Sequence, residues 1–138
     1  MKYLTLILIF SLYVTNSLGQ DNVVDDPIDS AYSACMEKDG STIGMIDCMY
    51  QANQHWENLM NKYFNLLIKN CETKEEKESL KSSQSIWIKF RDAELSVNNT
   101  IFNLDGTMWP IVKAENAMNV VKIRAIQFRK YYETLTQH

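Results

Sequence analysis

Apolar residues recur every three or four positions along most of the chain, and no segment of similar length alternates apolar with polar. That is the period of a helix and not of a strand. The most regular stripe is the last, Ile111, Ala114, Met118, Val121, Ala125, Phe128, Tyr132 and Leu135, which predicts a helix from about Trp109 or Pro110 to Leu135. An earlier stripe, Ile46, Met49, Asn53, Trp56, Met60, Tyr63 and Leu67, is interrupted only at Asn53. It predicts a long helix to about Asn70, capped by Ser41 or Thr42. Between them, Thr73-Lys74-Glu75-Glu76 has the form of a capping box. It opens a helix to about Asn98, with Leu80, Trp87, Ile88 and Leu95 facing inward. Asp26-Pro27 offers an N-cap and a first-turn proline for a short helix from Pro27 to Lys38, which Gly40 stops. Asp105-Gly106 marks a turn before the last helix.

These elements predict an all-α fold. Three long helices with short connections form a small antiparallel helical bundle, and the short N-terminal helix closes one end. The expected division is residues 1–19 as a signal peptide, 20–28 as an acidic leader and 29–138 as the helical domain. The leader assignment follows from Met1-Lys2, the apolar run Leu4 to Val14, and small residues at Ser17 and Gly19 ahead of Gln20. The alternative is an uncleaved membrane anchor, but the run is short of the roughly 20 residues that span a bilayer. No later segment is apolar enough to span. The protein is therefore expected to be periplasmic or secreted.

Composition narrows the function classes. The chain of 138 residues carries a formal net charge of -3 and is 46% hydrophobic, which suits one packed domain. It lacks the basic stripe of a nucleic-acid binder. Three cysteines and two histidines leave little for a zinc site, and no cofactor motif is present, so neither metal nor cofactor is expected. The charge is uneven: residues 20–50 hold seven acidic side chains against Lys38 alone. This acidic front is either a solvated linker or a docking surface for a basic partner.

Cys35 and Cys48 flank the Gly40 turn, which can bring the first two helices face to face. A Cys35–Cys48 disulfide is expected in an exported chain, its 14-residue loop worth about 3 kcal/mol in the chain-entropy model. Cys71 lies at the far end of the second helix, roughly 34 Å from Cys48 at 1.5 Å per residue, so it is expected to be free or to pair between molecules.

No catalytic arrangement is signalled. His55 has no evident supporting nucleophile, and Asp92 and Glu94 stand two apart on a helix, where side chains do not face one another. Asn98-Asn99-Thr100 fits a glycosylation acceptor. The most informative segment is Gln84 to Asp92, where Gln84, Trp87, Ile88 and Arg91 share one helical face. Such a face is either a recognition patch or a structural network in which Arg91 or Arg124 pairs with Asp92 or Glu94 across the bundle. The network is the expected reading, because a buried Arg needs partners.

The segment Gln84-x-x-Trp87-Ile88-x-Phe90-Arg91-Asp92-x-Glu94 resembles the signature of the LprI-type lysozyme inhibitor family of secreted bacterial proteins. Other pieces follow in order. Cys35 and Cys48 match its paired cysteines. Glu57-x-x-Met60-Asn61-x-x-Phe64, the Asp105 to Trp109 loop and Arg124-Ala125 match later stretches. A second cysteine pair of the family falls here on Leu95 and Asn116, so a second disulfide is not expected, and Cys71 is extra.

The resemblance implies an exported, non-enzymatic binding protein that inhibits lysozyme-like muramidases by steric occlusion. Its partner would be a protein, and a basic lysozyme suits an acidic inhibitor because opposite charge speeds encounter. The alternative is an envelope interaction or immunity module with a different protein partner. Gln84, Trp87, Arg91, Asp92 and Arg124 are the motif residues, structural or recognition. Asp105, Thr107 and Trp109 are the candidate partner-binding residues.

Overall fold

The computed structural model describes residues 26–137. The expected signal peptide and most of the expected acidic leader lie outside the described residues. Four helices follow in order, α1 (Pro27–Lys38), α2 (Thr42–Asn70), α3 (Lys74–Ile101) and α4 (Met108–Thr136). The fold is all-α, as the periodicity predicts.

Local chemistry sets the ends. The Asp26 carboxylate accepts from the Ile28 N–H (2.9 Å) at the start of α1. Ser41 caps α2 through the Gly44 N–H (3.0 Å). Thr73 and Glu76 form the reciprocal capping box of α3. This helix runs three residues past the expected end, to Ile101. Thr107 makes no side-chain cap on α4. There the turn rests on Gly106, whose φ of +118° is a conformation that L side chains rarely adopt.

The largest contact joins α2 and α4. Tyr63 meets Tyr132 and Phe64 meets Phe128, with ring centroids 5.8 and 5.7 Å apart. Lys122 lies over the Trp56 ring at one end of this contact and Phe64 meets Phe128 further along, so residue numbers rise together and α2 and α4 run parallel. Helices adjacent in sequence are antiparallel, as expected. The core consists of Met49, Ala52, Trp56, Met60 and Leu67 from α2 against Met118, Val121, Ala125 and Phe128 from α4. Trp56 and Phe128 are fully buried. Asn53, the break in the apolar stripe, is half-buried and donates to Glu57 (3.2 Å).

Helix α1 lays Ile28, Tyr32 and Met36 against this core. Three ties hold it. The Cys35–Cys48 disulfide is formed, with Cα atoms 5.7 Å apart. Lys122 pairs with Asp29 at 2.6 Å, and Arg129 pairs with Asp26. Cys71 is a free thiol at the end of α2, donating to the Leu67 carbonyl (3.2 Å).

Helix α3 packs less deeply. Asn98 is its one buried residue. Leu80, Trp87 and Leu95 are half-buried, as their spacing requires, but Ile88 turns outward. Its neighbour Trp87 takes the inward face, and α3 touches α4 along one narrow strip, leaving Ile88 at the edge.

Candidate functional site

The family-motif residues converge on Arg124. This side chain projects from α4 toward α3 and is only 7% exposed. Its Nε donates to Gln84 Oε1 (3.1 Å), Nη2 to Ser83 Oγ (3.1 Å) and Nη1 to Gln127 Oε1 (2.6 Å). The guanidinium lies over the Phe128 ring, 4.1 Å from its centroid, and near Trp87 at 5.8 Å. Burial pushes its pKa below the usual arginine value, against a weaker opposing effect of Tyr131. It is a buried cation held by neutral oxygens and ring faces, which hydrogen bonds to a charged donor make tolerable.

The expected ion-pair network is therefore corrected. Neither Asp92 nor Glu94 reaches Arg124. Arg91 pairs with its own neighbour, Nε and Nη2 donating to Asp92 Oδ1 at 3.0 and 2.8 Å. That pair stays on α3 and is open to solvent, with Asp92 more than half exposed. The reason is the shallow seat of α3: Arg91 lies at its rim, stacked outside Trp87 at 5.6 Å. Trp87 is thus flanked by two guanidinium groups. The structure brings Gln84, Trp87, Arg91 and Arg124 together and points Asp92 outward.

A second polar contact was missed in the sequence. Asn98 Nδ2 donates to the Lys113 carbonyl (2.9 Å), and Asn116 Nδ2 donates to Asn98 Oδ1 (3.0 Å). In the folded chain this side chain is engaged and buried. Its spacing of seven from Arg91 on the inward face was the available signal. Leu95 and Asn116, the positions of the family's second cysteine pair, line one groove between α3 and α4.

The candidate partner-binding residues sit elsewhere. Thr107 and Asp105 are exposed at the α3–α4 turn. Trp109 is half-buried and stacks on Phe102, with centroids 5.8 Å apart and planes 18° from parallel. It braces the turn instead of projecting from it. Leu104 and Met108 are both 56% exposed beside Asp105, giving the tip an apolar rim around one carboxylate. Arg124 lies 15 residues along α4 from Trp109, roughly 22 Å at 1.5 Å per residue, so the two residue sets are separate features.

Among the described residues, no group of three or more His, Cys, Asp or Glu side chains is placed to hold a metal ion. No described helix is long and apolar enough to cross a membrane. His55 is exposed.

The family model "Lysozyme inhibitor LprI" matches residues 33–128. None of the curated proteins compared matches the chain. Among solved structures, it is similar to a crystal structure of an uncharacterised protein from Burkholderia thailandensis, with 27% identity and a TM-score of 0.74. That similarity covers 81% of this chain and 56% of the other, so the match spans little more than half of the solved chain. With the family model covering most of its length, and with the disulfide and the Gln84–Trp87–Arg124 cluster in place, the chain belongs to the LprI lysozyme inhibitor family.

Proposed function

We propose that the protein is exported to the periplasm or beyond and inhibits lysozyme-like muramidases by steric occlusion. Family membership is the observation that carries this reading. Residues 1–19 would be removed as a signal peptide and 20–28 would precede the helical domain as an acidic segment. The partner is a protein, and the chemistry is binding without turnover.

Charge and shape support it. An acidic chain approaches a basic enzyme faster than a neutral one does. The α3–α4 tip has the build of an insertion element. Gly106 sets its turn, the Phe102–Trp109 stack stiffens its base, and Leu104, Asp105 and Met108 are exposed at its end. A stiff tip loses little conformational freedom on binding. Asp105 and Thr107 would meet the enzyme, with Trp109 holding them in place. The Gln84, Trp87, Arg91 and Arg124 cluster would act as structure, since its buried member is already satisfied from within.

The test is lysis of cell-wall substrate by a panel of lysozymes with and without the purified protein. Inhibition of at least one enzyme, weakened in Asp105→Lys, is the expected result. Unchanged lysis across the panel at saturating protein would remove this reading.

A further inference from the structure

The outer side of the α3–α4 pair carries an apolar stripe that nothing in the described chain covers. Ile86, Phe90, Val97 and Ile101 follow one another at intervals of four, seven and four along α3. Each is about half exposed or more, and Ile123 of α4 is 70% exposed beside them. Together they offer on the order of 500 Å² of apolar surface, at the upper end of what monomeric proteins leave open. Val97, Ile101 and Ile123 border a groove of about 360 Å³ between the two helices.

Glu94 borders the same groove. Among the described residues, its carboxylate makes no hydrogen bond and no ion pair. The nearest cation along the helix on its inward side, Arg91, is taken by Asp92. Lys89 lies five residues back, about 140° around α3 at 3.6 residues per turn, on the opposite flank of the stripe. The groove therefore presents one free negative charge among mostly apolar walls, with Asn116 and Asn119 on the α4 side.

We infer that the α3–α4 groove docks a basic protein segment that places one Lys or Arg on Glu94 and apolar side chains against Ile101 and Ile123. Charge complementarity selects this occupant: the one charged residue lining the groove is an unpaired carboxylate, and a basic segment meets it on a chain of net charge -3, whereas a second copy brings the same net negative charge. The exposed stripe approaches the roughly 800 Å² per partner of a standard interface, with the neighbouring tip available to supply the rest. The inference rests on the inhibitor reading in one respect: the basic partner is then the muramidase, held by the groove while the tip blocks its cleft.

The experiment measures binding of a basic chicken-type lysozyme to the purified protein and to three variants, with lysis inhibition recorded in parallel. Glu94→Lys is expected to weaken binding about tenfold or more, and Ile123→Ser about fivefold. Glu133→Lys makes the same charge change on α4 away from the groove and is expected to stay within about twofold of wild type. All three positions are exposed, so melting temperatures should match. If Glu94→Lys binds as wild type does, or loses no more than Glu133→Lys, while the wild type still inhibits lysis, the groove assignment is overturned and the inhibitor reading stands. A wild type that neither binds nor inhibits this lysozyme overturns the groove assignment, and unchanged lysis across the whole panel overturns the inhibitor reading as well. A dimer in sedimentation that Ile123→Ser dissolves also overturns the assignment, giving the face to a second copy.

Discussion

At the scale of single residues, two arginines that look alike in the sequence have different surroundings. Arg124 is buried with three neutral acceptors, so its removal leaves Ser83, Gln84 and Gln127 short of a donor and Trp87 and Phe128 short of a neighbour. Arg124→Ala should cost about 2–3 kcal/mol, from hydrogen bonds lost by a charged donor and packing lost against Phe128 and Trp87. Arg91 sits in a solvent-open pair, and Arg91→Ala should cost about 1 kcal/mol or less. Urea unfolding of both variants checks the contrast; equal losses would show that the two sites share the load. Asp26 makes a pH prediction. Burial raises its pKa, but the Ile28 N–H and Arg129 outweigh that effect, so the folded carboxyl titrates below 3.8. A folded value below the unfolded one adds stability that is present above the unfolded pKa and lost as pH falls through the folded one. Asp26→Asn should therefore melt below wild type near about pH 7, and the two melting curves should converge toward about pH 2.

At the scale of elements, boundaries were legible because caps are local. The Ser41 and Thr73 caps, Pro27 and Gly106 mark their ends through groups a few residues away. The disulfide was legible for the same reason, since Cys35 and Cys48 face each other across one turn. Partner choice was not. Periodicity names the inward face of a helix without saying which helix it meets, so the parallel α2–α4 core, the shallow seat of α3 and the outward Ile88 were hidden. So were the neutral acceptors of Arg124 and the bond from Asn98 to the Lys113 carbonyl, which depend on α3 lying against α4. That seat gives a further prediction. Leu95 and Asn116 line one groove, and Asn116 already bonds to Asn98. The double variant Leu95→Cys, Asn116→Cys should oxidise in air to a disulfide. Closing that loop is worth about 3 kcal/mol in the chain-entropy model. Mass mapping and the melting temperature report it, and slower amide exchange in α3 should accompany it. Persistent free thiols would place α3 differently from the structure described.

At the scale of the whole molecule, the chain divides its work between two sides. The α1, α2 and α4 side is closed by the disulfide, the core and the Asp26 and Asp29 ion pairs. The α3 side and the tip before α4 carry most of the exposed large apolar residues and the free Glu94. A net charge of -3 makes encounter with a basic enzyme sensitive to salt. Association with such a lysozyme should slow as ionic strength rises, while dissociation changes less; stopped-flow mixing at two salt concentrations measures both. Of the functional features, the motif cluster was recognisable in the sequence as a set of residues and expected to form a network, but the neutral partners of Arg124 were not. The groove depends on two helices meeting and could not be read from either alone. The central claim is inhibition of a muramidase. The most direct measurement is the lysis rate of cell-wall substrate by a lysozyme panel in the presence of the purified chain from Gln20 onward. The account predicts a dose-dependent fall in rate for at least one basic lysozyme, saturating at equal amounts of inhibitor and enzyme. Full lysis by every enzyme at saturating protein would contradict it.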